Sequence, residues 1–150
     1  MKPIFSKSWV LILLFMLSGC TQNNGNIGPY FGLWKLSELT INGEADPAYH
    51  DNIVWKFQSA AISMIRILDH HESSDCYGTW KETDPKTLQM EFIYHDDSDP
   101  KGTWKYAPLP ETHLPTGIFS LEIIHLSSKR MQLKYQKPDG TVYGYKLEKW

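Results

Sequence analysis

Apolar side chains recur at every second position in short runs along most of this chain, and polar stretches rich in Gly, Pro, Asn and Asp separate the runs. That period of two is the pattern of half-buried β-strands. It is cleanest in Thr87 to Tyr94, where Leu88, Met90, Phe92 and Tyr94 share one face and Gln89 and Glu91 the other. Met131, Leu133 and Tyr135 alternate in Arg130 to Tyr135, and Tyr143, Tyr145 and Leu147 alternate in Thr141 to Trp150. Ile118 to Leu126 places Phe119, Leu121, Ile123 and His125 on one face. The first predicted strand, Gly32 to Ile41, puts Trp34 and Leu36 on one side and Leu33, Leu39 and Ile41 on the other, with Ser37 and Glu38 interrupting the alternation.

Turn chemistry supplies the boundaries. Asn42-Gly43, Thr83-Asp84-Pro85-Lys86 and Pro138-Asp139-Gly140 are turn sequences. Glu44 to Asp51 is a polar connection carrying Pro47, compatible with one helical turn. Asn52 to Phe57 and Ile62 to Leu68 read as a hairpin through Ser59-Ala60-Ala61. A helix over 59 to 69 competes with the second of these, and the β-branched isoleucines tip the choice to strand. Asp69 to Asp75 is expected as a polar loop, Cys76 to Glu82 as a strand, and His95 to Pro100 as an acidic loop. Pro108, Pro110 and Pro115 make 107 to 117 a stiff, irregular loop.

One short motif appears three times: Gly32-Leu33-Trp34-Lys35, Gly78-Thr79-Trp80-Lys81 and Gly102-Thr103-Trp104-Lys105. Each is expected to mark a strand leaving a tight turn, with glycine relieving the turn and tryptophan entering the core. The spacings differ and the flanks do not align, so these are not domain repeats. Short strands with regular turns and no confident helix predict an all-β fold, a small up-and-down antiparallel barrel of about eight strands.

The N-terminus stands apart. Lys2 and Lys7 precede an apolar run from Trp9 to Leu17, shorter than the roughly 20 residues a membrane span needs. Residues 1–19 are expected to be a signal peptide. Leu17-Ser18-Gly19-Cys20 resembles the lipobox of bacterial lipoproteins. That resemblance implies cleavage before Cys20 and acylation of its thiol, so that the chain reaches the membrane through lipid. Residues 20–29, Gly/Asn-rich and without an apolar run, are expected to be a flexible tether. In some bacterial lipoproteins acidic residues just after the cysteine direct export to the cell surface; none occurs here before Glu38, so the resemblance implies an outer-membrane position facing the periplasm.

Removing residues 1–19 takes away Lys2 and Lys7 and makes the formal charge of −2 more acidic. There is no basic run to attract nucleic acid or anionic headgroups. Cys76 is left as an unpaired thiol in an exported protein. With neither lysine nor arginine close to it in sequence, a buried and inert thiol is expected.

A lipobox, a short polar tether, an opening Gly-x-Trp-Lys strand and the closing hairpin from Asp139-Gly140 to Leu147 together resemble the lipocalin-like domains of small bacterial lipoproteins. The resemblance covers residues 30–150. In lipocalins proper the first-strand tryptophan closes the blind end of the barrel against an arginine from the last strands. Arg130 here begins a strand, and Lys146 and Lys149 are the candidates to replace that arginine.

Candidate chemistry is sparse. His70, His71, Glu72, Asp75 and Cys76 are the densest set of potential ligands, but neighbouring strand residues point to opposite faces, so a solvated turn is the expected reading. Asp97 to Gly102 begins like a calcium loop, then has Lys101 and Pro108 where oxygen donors belong. The chain has no Gly-x-Ser-x-Gly elbow and no His-Glu-x-x-His helix. No enzyme activity, cofactor or metal is expected. The aromatics remain: either they fill a barrel just wide enough for side chains, or Tyr94, Trp104, Tyr106, Tyr143 and Tyr145 line a mouth for a small hydrophobic ligand. Three roles stay open on this footing: a binding module for such a ligand, an interaction module with a filled core that meets another envelope protein, and a metal-dependent envelope enzyme.

Overall fold

The computed structural model describes residues 28–93 and 106–150, with only the backbone described at His71. The signal peptide, Cys20, most of the tether, Tyr94, the third Gly-Trp motif and the calcium-like loop lie outside the described residues.

The strands are β1 (Gly32–Ile41), β2 (Glu44–Ala45), β3 (Ile53–Phe57), β4 (Ala61–Ile67), β5 (Ser73–Asp84), β6 (Thr87–Phe92), β7 (Gly117–Leu126), β8 (Arg130–Gln136) and β9 (Val142–Lys149). All pairings are antiparallel between sequence neighbours, except that β1 pairs with β3 across the short β2 and closes against β9. The result is the expected up-and-down barrel, closed by eight strands, with β2 as a two-residue flap on β1. The flap turn is Asn42-Gly43, both with positive φ (51° and 88°), the backbone that a two-residue hairpin favours.

Strand direction gives the barrel two ends. The chain enters β1 at the base, where the 58–60, 84–87 and 126–130 turns and the end of β9 also lie. The rim carries the 42–52, 68–72, 106–116 and 137–141 connections.

The base is sealed by aromatic rings. Trp34 has no exposed surface, and its indole N–H donates to the Tyr30 carbonyl at 2.6 Å. Lys149 takes the place expected of a lipocalin arginine: its ammonium stands 4.4 Å from the centre of the Trp34 ring and donates to the Phe31 carbonyl. Lys146 instead pairs with Glu38 on the surface at 2.8 Å. Tyr30, Phe57 and Trp80 complete the seal with ring separations of 4.9 and 5.2 Å.

Above it the inner faces of all eight strands pack together. Leu36, Ile53, Trp55, Phe57, Ile62, Met64, Leu88, Met90, Leu121 and Met131 have no accessible surface. A side chain without accessible surface borders no space that a water molecule can enter, so this layer of the barrel is filled.

Two bulges change the predicted faces. A register shift between Leu36 and Glu38 brings Leu39 into the core beside Trp34 and Leu36 instead of on the opposite face. A second, between Ile123 and His125, turns His125 out to solvent and brings Leu126 against the core. The predicted loop 69–75 is also shorter than expected: one 3-10 turn spans Asp69–His71, and Ser73 already belongs to β5.

The repeated Gly-Trp motif is not one device. Gly32 begins β1 at φ +116°, as expected of a residue leaving a turn. Gly78 lies inside β5 without positive φ, and a Cβ there would stand 2.6 Å from the Glu91 carbonyl oxygen and 2.8 Å from the Phe92 ring. It permits close approach of two strands, which is a different reason for glycine.

Trp34→Ala is expected to cost about 3–5 kcal/mol by urea unfolding, because a fully buried ring leaves a cavity. Gly78→Ala is expected to cost about 1–3 kcal/mol through overpacking against backbone. An unchanged midpoint for Gly78→Ala would mean that β5 and β6 are less tightly joined than described.

Candidate functional site

The rim is where a barrel of this kind would open, and a loop of the chain itself occupies it. Residues 107–116 belong to the segment, 107 to 117, whose three prolines predict a stiff, irregular loop. Leu109, Thr112 and Leu114 are buried, so the loop folds inward as a stopper.

Local chemistry explains the shape. Pro110 starts a single 3-10 turn, Pro110–Thr112, and His113 ends it in left-handed conformation at φ 58°. The Thr112 hydroxyl and the Thr112 N–H both bond the Leu109 carbonyl, at 2.6 and 2.9 Å. The turn therefore satisfies its own polar atoms while its leucines enter the core.

Polar contacts fasten the stopper to three parts of the wall. The buried Tyr145 hydroxyl, on β9, donates to the Thr112 carbonyl at 2.7 Å. Burial raises the Tyr145 phenol far above its ordinary value, so it stays a donor. Arg66, on β4, pairs with Glu111 at 2.5 Å. His113 Nε2 meets the Asp46 carboxylate at 2.9 Å, and Asp46 also accepts from the Ala48 N–H at 2.9 Å. Those two bonds, His113 first, hold the Asp46 carboxyl below its ordinary value. The Asp46–Ala48 bond also makes an Asx-type turn in the connection whose sequence is compatible with one helical turn.

Aromatic stacking continues the fastening. The His113 ring lies 4.9 Å from Tyr143, which in turn lies 6.4 Å from Tyr135. Lys137 donates to the Tyr143 hydroxyl at 3.0 Å. Below the stopper, burial pushes the Cys76 thiol up to about 11, which makes it inert as a nucleophile.

Of the five proposed ligand-lining residues, the three that are described do not share one pocket. Tyr143 and Tyr145 face inward at the rim, but protein groups already engage both. Tyr106 lines a separate groove of about 580 Å³ with Tyr77, Gly78, Thr79, Phe92 and Ile93. Tyr94 and Trp104 are outside the described residues. In the His70 cluster, Cys76 points into the core and Asp75 to the other face of β5, so the two do not meet. Among the described residues no group of three or more His, Cys, Asp and Glu is placed to hold a metal ion.

Asp46, Arg66, Glu111, Thr112 and His113 were not anticipated as a group. Their spacing along the chain is irregular, and the only local hint was the pair of leucines inside a proline-rich loop.

The sequence profile described as Lipocalin-like domain matches residues 15–140. The chain belongs to this lipocalin-like family. No curated protein matches it. Among solved structures, a lipocalin-like protein from Bacteroides uniformis is 17% identical, with a TM-score of 0.60 over 82% of this chain and 100% of that one. An uncharacterized protein from Bacteroides eggerthii is 18% identical, with a TM-score of 0.56 over 81% of this chain and 99% of that one. At such identities the likeness is one of fold. Within the lipocalin-like domain, the Trp34–Lys149 contact seals the base and the 107–116 stopper seals the rim.

Tyr145→Phe leaves the buried Thr112 carbonyl without its donor and is expected to cost about 1–3 kcal/mol, checked by urea unfolding. Because the Asp46 carboxyl is held below its ordinary 3.8, its contribution is present above that value and is lost as pH falls through the lower folded one. Between about pH 5 and pH 3 the wild type should therefore lose more stability than Asp46→Asn. Parallel pH profiles would show that the ionised Asp46 carboxylate gains nothing from His113 and the Ala48 N–H together.

Proposed function

We propose that this lipocalin-like domain is a lipid-anchored module of the cell envelope that acts without catalysis, presenting the stoppered rim of a filled barrel to another envelope protein. The observation that carries the reading is the absence of accessible surface on the inner ring of side chains, from Trp34 through Trp55 to Met131. A barrel of eight strands has room for side chains or for one small ligand, not both. Support for the anchor comes from the Leu17-Ser18-Gly19-Cys20 junction and the signal-like run before it. Acyl chains on Cys20 would hold the domain at the outer membrane, facing the periplasm.

A second reading, a small hydrophobic ligand taken at the rim when the stopper lifts, is favoured by one atom. The Trp55 indole N–H is buried and has no hydrogen-bond partner, an arrangement that a bound polar atom would relieve.

Photo-crosslinking from the exposed rim positions Glu72 and Asp139 in cells is expected to capture a stoichiometric envelope protein. Saturable uptake of an apolar probe in native mass spectrometry, with no crosslinked partner, would reverse the order of the two readings.

A further inference from the structure

Folding assembles at the base a surface that no run of sequence contains. Lys56, Lys81, Lys86, Lys129, Arg130 and Lys149 all lie toward the base, against Glu82, Asp84 and Glu148, although the chain as a whole is acidic. Lys149 is already engaged by Trp34 and the Phe31 carbonyl, and Glu82 accepts from the Tyr30 hydroxyl at 2.6 Å. The other cations are not drawn inward in this way. The rim is the reverse: Glu44, Asp51, Asp69, Glu72, Glu111 and Asp139 outweigh Arg66 and Lys137.

The same end exposes large apolar side chains. Phe31 is 47% exposed and Leu33 37%; Trp150, 68% exposed, has its backbone at the base and its side chain against the outer wall, where it borders a cavity with Lys35, Asp51 and Val54. The backbones are neighbours, because the Trp150 N–H donates to the Leu33 carbonyl at 3.0 Å. Phenylalanine and leucine beside lysine and arginine is the composition of a surface that sits at a membrane interface.

The position of the remaining chain says what covers this surface. The polypeptide joins the described domain at Gly28, at the base, and seven residues separate Gly28 from Cys20. Fully extended, the eight Cα-to-Cα steps between them span about 28 Å at most. If Cys20 is in the bilayer, the base is the end held close to it.

We propose, resting on the reading that Cys20 is acylated, that the base of the barrel lies on an anionic lipid surface. Phe31 and Leu33 reach headgroup depth, and Lys56, Lys86, Lys129 and Arg130 face lipid phosphates. Cationic side chains near such a surface are attracted within a Debye length, and the acidic rim is repelled. The lipid then does more than tether the domain: charge and apolar contact orient it, with the stoppered rim turned away from the membrane.

The test uses the full-length chain, expressed with palmitate labelling and reconstituted in phosphatidylglycerol–phosphatidylethanolamine vesicles carrying brominated acyl chains. Bromolipid is expected to quench part of the tryptophan emission. Lys129→Glu combined with Arg130→Glu should reduce the quenching while keeping the palmitate label. Label without quenching that this variant reduces overturns the membrane-facing base and leaves the anchor standing. No label overturns the anchor and this inference with it. Quenching absent because the vesicle-bound protein is a dimer would assign the surface to a second copy, which also overturns the proposal.

Discussion

Pairing β1 with β9 closes the sheet into a ring of eight strands, and that closure fixes how much room is left inside. Everything else in the domain answers to it. Trp34, Trp55, Phe57 and Tyr145 take up the interior volume. β5 and β6 approach so closely that position 78 has to be glycine. Bulges at Leu36/Glu38 and Ile123/His125 let strands bend around the ring and decide which leucine or isoleucine enters the core. Closure also removes the open edges that would otherwise pair with other chains.

The two ends of the ring are sealed by different physics. At the base the seal is aromatic, with a lysine ammonium over a tryptophan face, and the surrounding surface is basic and partly apolar. At the rim it is a loop whose leucines are buried and whose polar atoms are met by Tyr145, Arg66 and Asp46. The surface there is acidic. A domain with such opposed ends has a built-in orientation toward any charged plane. In the account proposed above, the base meets the membrane and the rim meets the periplasm and what it contains.

Much of this architecture was legible along the chain. β6, β8 and β9 alternate strictly, so their inner residues follow from period two alone. The Asn42-Gly43 and Asp139-Gly140 turns also behave as their residues require. Where a bulge intervenes, period two fails: Leu39 and His125 were each placed on the wrong face. The stopper was missed for another reason. Proline excludes 107–117 from a central strand, but whether a stiff loop lies over the surface or folds into a cavity depends on the cavity. Pairs such as Asp46–His113 and Tyr145–Thr112 are long-range and leave no local signature. The basic base was invisible too, because its cations come from five separate strands or turns and meet only once the ring is closed.

Amide hydrogen exchange at the stopper reads whether the rim is closed in solution. Thr112 N–H bonds Leu109 O and His113 N–H bonds Pro110 O, at 2.9 and 3.1 Å, inside a segment packed into the barrel. If the rim is closed by its own loop, the Thr112 amide should exchange on the timescale of the flanking strand amides of β7 and β9, with His113 close behind it. Exchange of both amides at the rate of an exposed loop, while the strands stay protected, would show an open rim in solution and contradict the filled, stoppered barrel.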